Sequence, residues 1–539
     1  MLNLSLEFET VSLGEHLYIK GRIGWKGLKK EEYLENGNYK IINATAIEDD
    51  GINWNECGYI TKDRFDESPE IILKEKDILI SKDGNIGKIG YVKSLDGPST
   101  VASGIFVVRN LNEDYINTDF LYHYFKSPFF KWFIKSATEG SVIPHLYQRD
   151  FADMEFILFD LDTQNKCAKI LNNIDEKIRI NKEINKNLIN ICKAIFRKDF
   201  INYENYNDLK DSDCGLIPSD FEVKSIDEIS KEVVCGKTPP TKKEENYGKD
   251  MPFITIPDMH NNVFVITTER KLSEIGIKSQ IKKTLPKNSV CVSCIATAGL
   301  VSLTYEKSQT NQQINSIICA EDISPYFIYL YIEEMSEYIK LLGSGGSTTL
   351  NLNKNEFSKI KLVIPPKKTM DKFHNYIKSL FEEIKSNQLE IIKLTKLRDA
   401  LLPKLMSGEI DVSKINCDLK IIVSYFIPKN CKFDIEDYKM KTKIISKIQN
   451  KMKPYLDQTQ YLKLTNALLN SLKDIELIDN NNELNEMDNF KLLNLFLSAK
   501  QVEGCSDKTI VYYKSTIEKM LEKIKKQVYN ITTDDLRKY

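Results

Sequence analysis

Histidine, tryptophan and net charge are all scarce in this chain. Its 539 residues include five His and three Trp, and 76 Lys and Arg nearly balance 77 Asp and Glu to leave a formal charge of −1. A polybasic, histone-like protein is therefore excluded, although a locally basic surface is not. The 26 Tyr and 24 Phe exclude a disordered chain. At roughly 150 residues per domain, the length predicts three to four domains.

Long apolar runs are also absent. The longest stretches, such as 421–427, are much shorter than a membrane span requires. Charged residues at Glu15, Lys20, Arg22 and Lys26 interrupt the N-terminal segment, which excludes a signal peptide there. We therefore expect a cytoplasmic protein. The eleven Cys lack framework spacing, which indicates small buried hydrophobic residues rather than disulfides.

Sequence motifs for catalysis and metal binding are missing as well. The sequence contains no Gly-x-x-x-x-Gly-Lys-Ser/Thr loop for ATP and no Asn-Pro-Pro-aromatic motif of amino-methyltransferases. Gly84, Gly87 and Gly90 lie between predicted strands and are interpreted as hairpin glycines rather than a dinucleotide loop. Cys291 and Cys294 form a CxxC pair without a second pair, so no zinc site is expected.

An internal repeat is the main feature that is present. Residues 140–151 read GSVIPHLYQRDF and residues 346–357 read GSTTLNLNKNEF, so Gly, Ser, Leu and Phe recur at an offset of 206. The segment 73–92 matches 285–304 at an offset of 212. Drift of this kind is typical of loop insertions. The sequence therefore predicts two copies of one unit.

Each copy contains a strand-rich part followed by a long helix. Short β-branched runs predict strands at 77–80, 104–108, 289–293 and 314–318, and single helices are predicted at 118–134 and 325–342. The long helix of the second copy carries an apolar seam that steps alternately by four and three residues, which is typical of a coiled coil. The seam consists of Phe373, Ile377, Leu380, Ile384, Asn387, Ile391, Leu394, Arg398, Leu401 and Leu405.

The first copy keeps this seam over 171–195, and Asn181 falls on the position of Asn387. A buried Asn in such a seam lowers stability but selects one register. We therefore expect the two helices to pair in antiparallel fashion, Asn near Asn, with Ile178 and Ile384 beside them. In the alternative, each helix lies on its own globular unit with its Asn half exposed.

Two globular units on a helical spacer can measure distance along DNA. A helix over 164–200 spans roughly 55 Å, or about 16 base pairs of B-DNA. Residues 166–199 hold nine Lys and Arg against four Asp and Glu, and residues 367–404 hold nine against five, so the helices carry +5 and +4. A basic loop contains Lys20, Arg22, Lys26, Lys29 and Lys30. This placement of charge favours a nucleic-acid partner.

Several motifs carry a resemblance to a known family. GSxxxxLxxxxF closes each globular unit, Gly236-Lys237-Thr238-Pro239 opens the second, Pro365-Pro366 precedes its helix, and residues 401–410 read LLPKLMSGEI. Over residues 10–412 the chain resembles the specificity (S) subunits of type I restriction-modification systems. The first copy departs from the family pattern, because Phe159-Asp160 replaces the Pro pair and Arg22-Ile23-Gly24-Trp25 replaces Gly-x-Thr-Pro.

The resemblance implies a non-catalytic subunit that reads a bipartite sequence in double-stranded DNA. It implies two methyltransferase (M) subunits docked on the helices and motor-endonuclease (R) subunits that join them. No cofactor is expected on this chain, and S-adenosylmethionine, ATP and Mg²⁺ would belong to the partners. A free-standing bipartite DNA-binding protein is one alternative, and a recombinase or nuclease is another.

The expected fold is α+β, with two pseudo-repeated mixed α/β target recognition domains separated by two long helices that form an antiparallel coiled coil. An all-α extension follows at the C-terminus. The expected boundaries are 1–163 for recognition domain 1, 164–205 for spacer helix 1, 206–369 for recognition domain 2, 370–412 for spacer helix 2, 413–485 for a helical connector and 486–539 for a last helical segment.

The last segment is similar to the start of the helical core-binding domain of tyrosine recombinases. A start signal at Ser506 and Asp507 predicts a helix with Ile510, Tyr513, Ile517 and Leu521 on one face. The chain has no room for the recombinase catalytic set after it. A fusion or frameshift is one interpretation of the extension, and a helical docking module is the other.

Candidate DNA contacts are polar residues on loops beside a positive surface, because Arg and Lys favour guanine while Asn and Gln favour adenine. In the first copy they are Arg22, Trp25, Lys26, Lys82, Asn85, Lys88, Tyr147, Gln148 and Arg149. In the second copy they are Lys237, Thr238, Lys242, Lys243, Asn311, Gln312 and Gln313. Ser141 and Ser347 are candidates for holding a phosphate.

Overall fold

The computed structural model describes residues 8–23, 27–48, 51–138, 145–151, 154–295, 297–343, 351–412 and 507–524. The chain divides into two compact units, residues 1–417 and 418–539. No helix within the described ranges is both long and apolar enough to cross a membrane. In the second unit the structure describes one helix, Asp507–Ile524, at the position of the predicted start signal. The remaining expectations for 413–539 lie outside the described residues.

Within its described residues the first copy contains four small sheets. Its central sheet has the order β2–β10–β7–β8. The first and last strands of the copy, β1 and β11, pair with each other. The strands are β1 Phe8–Ser12, β2 Leu17–Gly21, β3 Tyr39–Ile42, β4 Ile47–Glu48, β5 Gly51–Ile52, β6 Gly58–Ile60, β7 Ile78–Ser81, β8 Ile89–Tyr91, β9 Ser99–Val101, β10 Ile105–Asn110 and β11 Glu155–Phe159. The helices are α1 Lys62–Asp66, α2 Thr118–Lys126, α3 Pro128–Thr138 and the long α4 Leu161–Phe200.

The second copy repeats this plan. Its central sheet has the order β15–β22–β19–β20–β17, and β14 pairs with β23 where the first copy pairs β1 with β11. The strands are β12 Leu209–Ser212, β13 Gly215–Pro218, β14 Glu222–Ser225, β15 Ser230–Cys235, β16 Tyr247–Ile254, β17 Phe264–Val265, β18 Arg270–Leu272, β19 Val290–Ser293, β20 Val301–Thr304, β21 Gln309–Thr310, β22 Ile314–Cys319 and β23 Lys361–Ile364. The helices are α5 Ile256–Met259, α6 Glu274–Ser279, α7 Pro325–Glu334, α8 Ser336–Gly343, α9 Lys354–Ser358 and the long α10 Lys367–Met406.

Matching backbone geometry accompanies the sequence repeat. Lys76 and Asn288, which are 212 residues apart, precede equivalent strands with φ of 69° and 63°. The amide of Lys76 donates to Val92 O over 2.8 Å, and that of Asn288 donates to Thr304 O over 2.9 Å. Non-glycine residues with positive φ are uncommon. The same turn therefore starts the same hairpin in both copies.

The prediction of one helix over 118–134 and one over 325–342 was wrong, because each segment forms two helices. Helix α2 ends at Lys126, its C-cap residue Ser127 is extended with ψ of 161°, and Pro128 opens α3. A residue before proline is driven out of the helical region, and proline has no N–H to continue the helix. Near Met335, the break between α7 and α8 has no proline to explain it.

The two long helices are equal in length and occupy equivalent positions in the two copies. Each has 40 residues, and both ends of α10 lie 206 positions after those of α4. Each starts three residues before its expected boundary. Asp160 caps α4 by accepting the Thr163 hydroxyl over 2.6 Å and the Thr163 amide over 3.0 Å, and these bonds, the hydroxyl bond above all, lower the pKa of the Asp160 carboxyl. Pro366 occupies the corresponding cap position of α10. The departure at Phe159-Asp160 thus preserves the helix start.

Helices α4 and α10 pack against each other in antiparallel fashion. Contacts join Cys167 near the start of α4 to Leu405 near the end of α10, and Asp175 to Arg398 further along. Asn181 and Asn387 are buried at 0% and 3% exposure, as expected for seam positions. Ile178 and Ile384 beside them are also buried.

The two seam Asn residues, expected to lie near each other, each form a hydrogen bond with a different residue of the facing helix. Asn181 Nδ2 donates to Glu390 Oε2 over 2.8 Å, and Asn387 Nδ2 donates to Asn185 Oδ1 over 3.0 Å. The antiparallel register brings residues whose numbers add to about 572 face to face. Each seam Asn therefore lies opposite a position about four residues, or one helical turn, from the other seam Asn.

The end of α4 lies in an aromatic core shared with the second copy. Phe196 is fully buried, with ring centroids 5.1 Å from Phe327 on α7 and 5.9 Å from Phe373 on α10. Phe200 lies 4.9 Å from Phe373 in the same cluster. The spacer helix of the first copy therefore packs directly on the globular part of the second.

We expect Phe196→Ala to lower the free energy of unfolding by about 3–5 kcal/mol, because removal of a large ring leaves a cavity among three elements. Urea denaturation followed by circular dichroism measures this change. Phe129→Ala is the matched control, since Phe129 on α3 is 41% exposed. Equal destabilisation of the two variants would contradict the shared core.

Candidate nucleic-acid interface

The hairpin loop between β7 and β8 is built around one serine. Ser81 Oγ donates to Asn85 O over 2.6 Å and accepts the Lys88 amide over 2.8 Å. Gly84 and Gly87 have φ of 64° and 85°, which glycine adopts without steric cost. These bonds close the loop and leave Asn85 exposed at its tip. The interpretation as glycines between the strands is confirmed for Gly84 and Gly87 and was wrong for Gly90, which lies within β8.

The hairpin loop between β19 and β20 repeats this arrangement 212 residues later. Ser293 Oγ donates to Thr297 O over 2.5 Å and accepts the Leu300 amide over 2.8 Å. Gly299 has φ of 88°, like Gly87. The two copies thus present one loop scaffold with different residues at its tip.

The described part of the GSxxxxLxxxxF segment, from residue 145 in the first copy and residue 351 in the second, lies beside this hairpin. Leu146 donates its amide to Lys82 O over 3.1 Å, and Leu352 donates to Cys294 O over 2.9 Å. Both leucine side chains are buried, at 0% and 3% exposure. The leucine therefore anchors the segment next to the hairpin, and the polar residues that flank it remain at the surface.

In the first copy the anchored segment presents an aromatic and cationic surface. Tyr147 is 49% exposed, and the Arg149 guanidinium lies 4.9 Å from its ring centroid. His145 contacts the Asp83 carboxylate of the hairpin, which joins the two loops. Lys82 Nζ lies 4.8 Å from the Phe106 ring centroid, and burial lowers the pKa of the Lys82 ammonium group. Stacking and charge of this kind suit contact with bases and phosphates.

In the second copy the Gly236-Lys237-Thr238-Pro239 motif packs on the 310–313 loop. Lys237 donates its amide to Thr310 O over 3.0 Å, and Thr238 Oγ1 donates to Gln312 Oε1 over 2.5 Å. A Cβ atom on Gly236 would stand 2.0 Å from Asn311 O. Only glycine permits this approach, so the motif's glycine allows the two loops to meet.

Most of the described candidate residues are accessible to a ligand. Those classed as exposed are Asn85, Tyr147, Gln148, Arg149, Lys237, Lys242, Lys243 and Gln312. Those that are half-buried are Lys82, Lys88, Thr238 and Gln313. Lys88 Nζ already donates to Ala44 O over 2.9 Å. Trp25, Lys26, Ser141 and Ser347 lie outside the described residues.

Two candidates need correction because they are buried. Arg22 is 2% exposed, and its guanidinium donates to Val101 O over 3.2 Å and to Ser68 Oγ over 3.3 Å. Burial lowers the pKa of Arg22. Asn311 is 8% exposed and donates to Gln313 Oε1 over 2.9 Å. Both side chains hold loops in place rather than face a ligand.

A cationic groove that the sequence did not reveal lies between the first globular part and the helix pair. It encloses about 800 Å³ and opens beside the hairpin residues Gly87 and Lys88. Acidic groups in its lining are Glu48 and Asp399, and its basic groups are Lys88, Lys126, Lys131, Lys182 and Arg398. These cations come from segments far apart in sequence, so their proximity depends on the tertiary fold.

Metal and thiol chemistry find no support within the described ranges. These contain no group of three or more His, Cys, Asp or Glu side chains that could hold a metal ion. Cys291 and Cys294 are buried, and burial raises the pKa of both thiols to about 12. They behave as small hydrophobic core residues, as expected for this CxxC pair.

Comparisons with known proteins agree on one family. The model of the type I restriction modification DNA specificity domain matches residues 6–190 and 218–395. The chain is 33% identical over 405 residues to the type I restriction enzyme HindI specificity subunit of Haemophilus influenzae, which covers 63% of this chain and 87% of that protein. It is 27% identical over 365 residues to the MjaIX specificity subunit of Methanocaldococcus jannaschii, with coverages of 64% and 82%.

Among solved structures, the chain is similar to the type I restriction-modification S subunit from M. genitalium. The TM-score is 0.47 at 16% sequence identity, and the match covers 75% of this chain and 97% of that structure.

We expect Gly236→Ala to separate the two loops of the second copy, because its Cβ would overlap backbone oxygens of Thr310 and Asn311. The amides of residues 236 and 237, which donate to Ile314 O and Thr310 O, should exchange with deuterium faster. Hydrogen-exchange mass spectrometry measures this. Gly104→Ala is the control, since its Cβ would meet no atom closer than 3.6 Å. Unchanged exchange at 236–237 would contradict the close approach.

Proposed function

The chain belongs to the type I restriction-modification DNA specificity family, and from this premise we propose how it reads DNA. It is the sequence-specificity subunit of a type I restriction-modification complex. Each globular part is a target recognition domain that reads one half of a bipartite site in double-stranded DNA. The observation that carries this proposal is the repeated loop scaffold, with one set of polar side chains in the first copy and another in the second.

Contacts to base edges are assigned to the exposed loop residues. In the first domain these are Asn85, Gln148 and Arg149, with Tyr147 supporting the Arg149 guanidinium. In the second domain they are Lys237, Lys242, Lys243 and Gln312. Arg and Lys suit guanine, and Asn and Gln suit adenine. Because the loops differ between the copies, the two half-sites should differ in sequence.

Phosphate contacts are assigned to the cationic groove. Its lysines belong to the first recognition domain and to α4, a position that suits contacts along the DNA backbone between the half-site and the spacer. Such contacts hold DNA in register and carry no sequence information. Ser141 and Ser347 remain candidates for the same role. The groove therefore complements the loops, which supply specificity.

Type I specificity subunits assemble with methyltransferase and restriction subunits, and we assign the same partners to this chain. The internal repeat offers two equivalent surfaces, which suits two M subunits, with R subunits joining them. The chain itself is assigned no catalytic step and no cofactor. S-adenosylmethionine, ATP and Mg²⁺ would be bound by the partners, and neither a free-standing regulator nor a recombinase is favoured by any contact described above.

The C-terminal extension is assigned no part in target selection. The family match ends at residue 395, and the unit that contains both copies ends at Cys417. Helix α11 (Asp507–Ile524) belongs to the other unit.

Substitutions in the two domains should change opposite halves of the target. We expect Gln148→Ala with Arg149→Ala to relax the sequence required in one half-site, and Lys237→Ala with Gln312→Ala to relax the other. Each base that is no longer read should weaken discrimination by about 1–3 kcal/mol. The measurement is the methylated motif in DNA modified by the chain with its M partner. Glu183→Ala on the exposed face of α4 is the control. Relaxation of both half-sites by one pair of substitutions would refute independent reading.

Lengthening both spacer helices should change the distance between half-sites and leave their sequences intact. Seven residues inserted after Glu183 and seven after Leu389 keep the seam in phase and add about 10 Å, or about three base pairs. The methylated motif again reports the outcome, as the number of unread bases. An insertion in α4 alone serves as the control and should abolish activity, because it breaks the antiparallel register. Altered half-site sequences in the double insertion would contradict a spacer role.

A further inference from the structure

The internal repeat gives every pair of facing positions on α4 and α10 a second, equivalent pair of positions. Because α10 lies 206 positions after α4 along its whole length, a residue on one helix corresponds to the residue 206 positions away on the other. A perfectly repeated helix pair would be symmetric about its centre, near residues 183 and 389. Such a helix could pair equally well with its counterpart or with a second copy of itself.

An ion pair and an apolar pair occupy corresponding positions. Arg398 Nη1 donates to Asp175 Oδ1 over 3.1 Å, and the two side chains are only 19% and 17% exposed. The counterparts are Cys192 for Arg398 and Phe381 for Asp175, both fully buried in the apolar core. One end of the helix pair is therefore joined by charge and the other by apolar packing.

A second polar contact has the same asymmetry. Lys177 Nζ lies 3.6 Å from Glu390 Oε1, with side chains 2% and 13% exposed, and the other Glu390 oxygen accepts Asn181 Nδ2. The counterpart of Glu390 is Ile184, which packs against the apolar core, and the counterpart of Lys177 is Glu383. Both ion pairs thus join the first half of α4 to the second half of α10.

Pairing of like helices would remove the ion pairs that join α4 to α10, although Asp175 would keep its neighbour Lys126 and Arg398 would keep Asp399. In the same register, two α4 helices would bring Asp175 opposite Cys192 and Lys177 near Ile184. Two α10 helices would bring Arg398 opposite Phe381, and Glu390 near Glu383. Breaking an ion pair between largely buried side chains is unfavourable, and so is placing two carboxylates together.

We propose that this polar asymmetry is a pairing code that makes the first copy accept only the second, and never another copy of itself. The helices are alike enough to form one continuous seam, and the charges at 175, 177, 390 and 398 select the unlike partner. Polar seam residues select partners in this way at the expense of stability. The consequence is that the two different recognition units stay together, so that one protein reads two different half-sites.

The test divides the chain between Asn207 and Asp208, in the exposed connection after α4, and expresses both pieces together. Residues 1–207 are made in two versions, one with an affinity tag and one with an epitope tag, beside residues 208–539. Capture through the affinity tag should recover the second piece in at least about tenfold excess over the epitope-tagged first piece. Comparable recovery of the two would overturn the proposal.

Neutral variants of the first piece show whether the charges cause the selection. Asp175→Asn with Lys177→Gln should lower the recovery ratio about tenfold or more, because like pairing is no longer penalised and unlike pairing no longer has its ion pairs. Arg179→Gln with Glu183→Gln is the matched control, since these residues form an exposed ion pair on the same helix. An equal effect of the two double variants would also overturn the proposal.

A competition between two second pieces tests the proposal even if two first pieces cannot fold together. Asp175→Arg with Lys177→Glu in the first piece should capture a second piece carrying Arg398→Asp and Glu390→Lys in preference to the wild-type second piece. The unmodified first piece should show the opposite preference. Lys126, whose Nζ lies 3.7 Å from Asp175, affects both competitors equally. If either first piece captured the two second pieces without preference, the proposed pairing code would be refuted.

Discussion

The antiparallel packing of α4 on α10 is the constraint on which the positions of both recognition domains depend. Each helix continues directly from its own domain and ends against the other one. Asn172 of α4 contacts His123 of the first domain, and Lys193 near the other end contacts Glu333 of the second. On α10, His374 contacts Ser324, and Arg398 reaches the first copy through Asp175. The distance between the domains therefore follows from helix length.

The helix pair combines an apolar seam with a small number of buried polar groups. Leu171, Ile178, Ile384 and Leu394 supply the burial that holds the helices together. Apolar contacts tolerate shifts of register and exchange of similar partners, whereas hydrogen-bonded charges do not. The polar groups therefore specify the pairing that the apolar seam stabilises.

The recognition domains show how one scaffold presents two different surfaces. The serine at the start of each hairpin, the glycine with positive φ and the buried leucine beside it recur in both copies. The side chains at the loop surface do not recur, because the hydrogen bonds that close the loop do not involve them. In the second domain Gly236 allows two loops to meet, whereas the first domain buries Arg22 in that region. The scaffold thus keeps its backbone while its surface changes.

The sequence alone determined the duplication, the two long helices and their seam, because a repeat offset and a four-three spacing depend only on residue order. It also determined the hairpin glycines, since positive φ favours glycine wherever the fold places it. Only the tertiary structure decided that Arg22 and Asn311 are buried, that Asn181 contacts Glu390 rather than Asn387, and that a cationic groove forms. Each of these depends on which surfaces meet in the folded chain, and local spacing carries no information about that meeting.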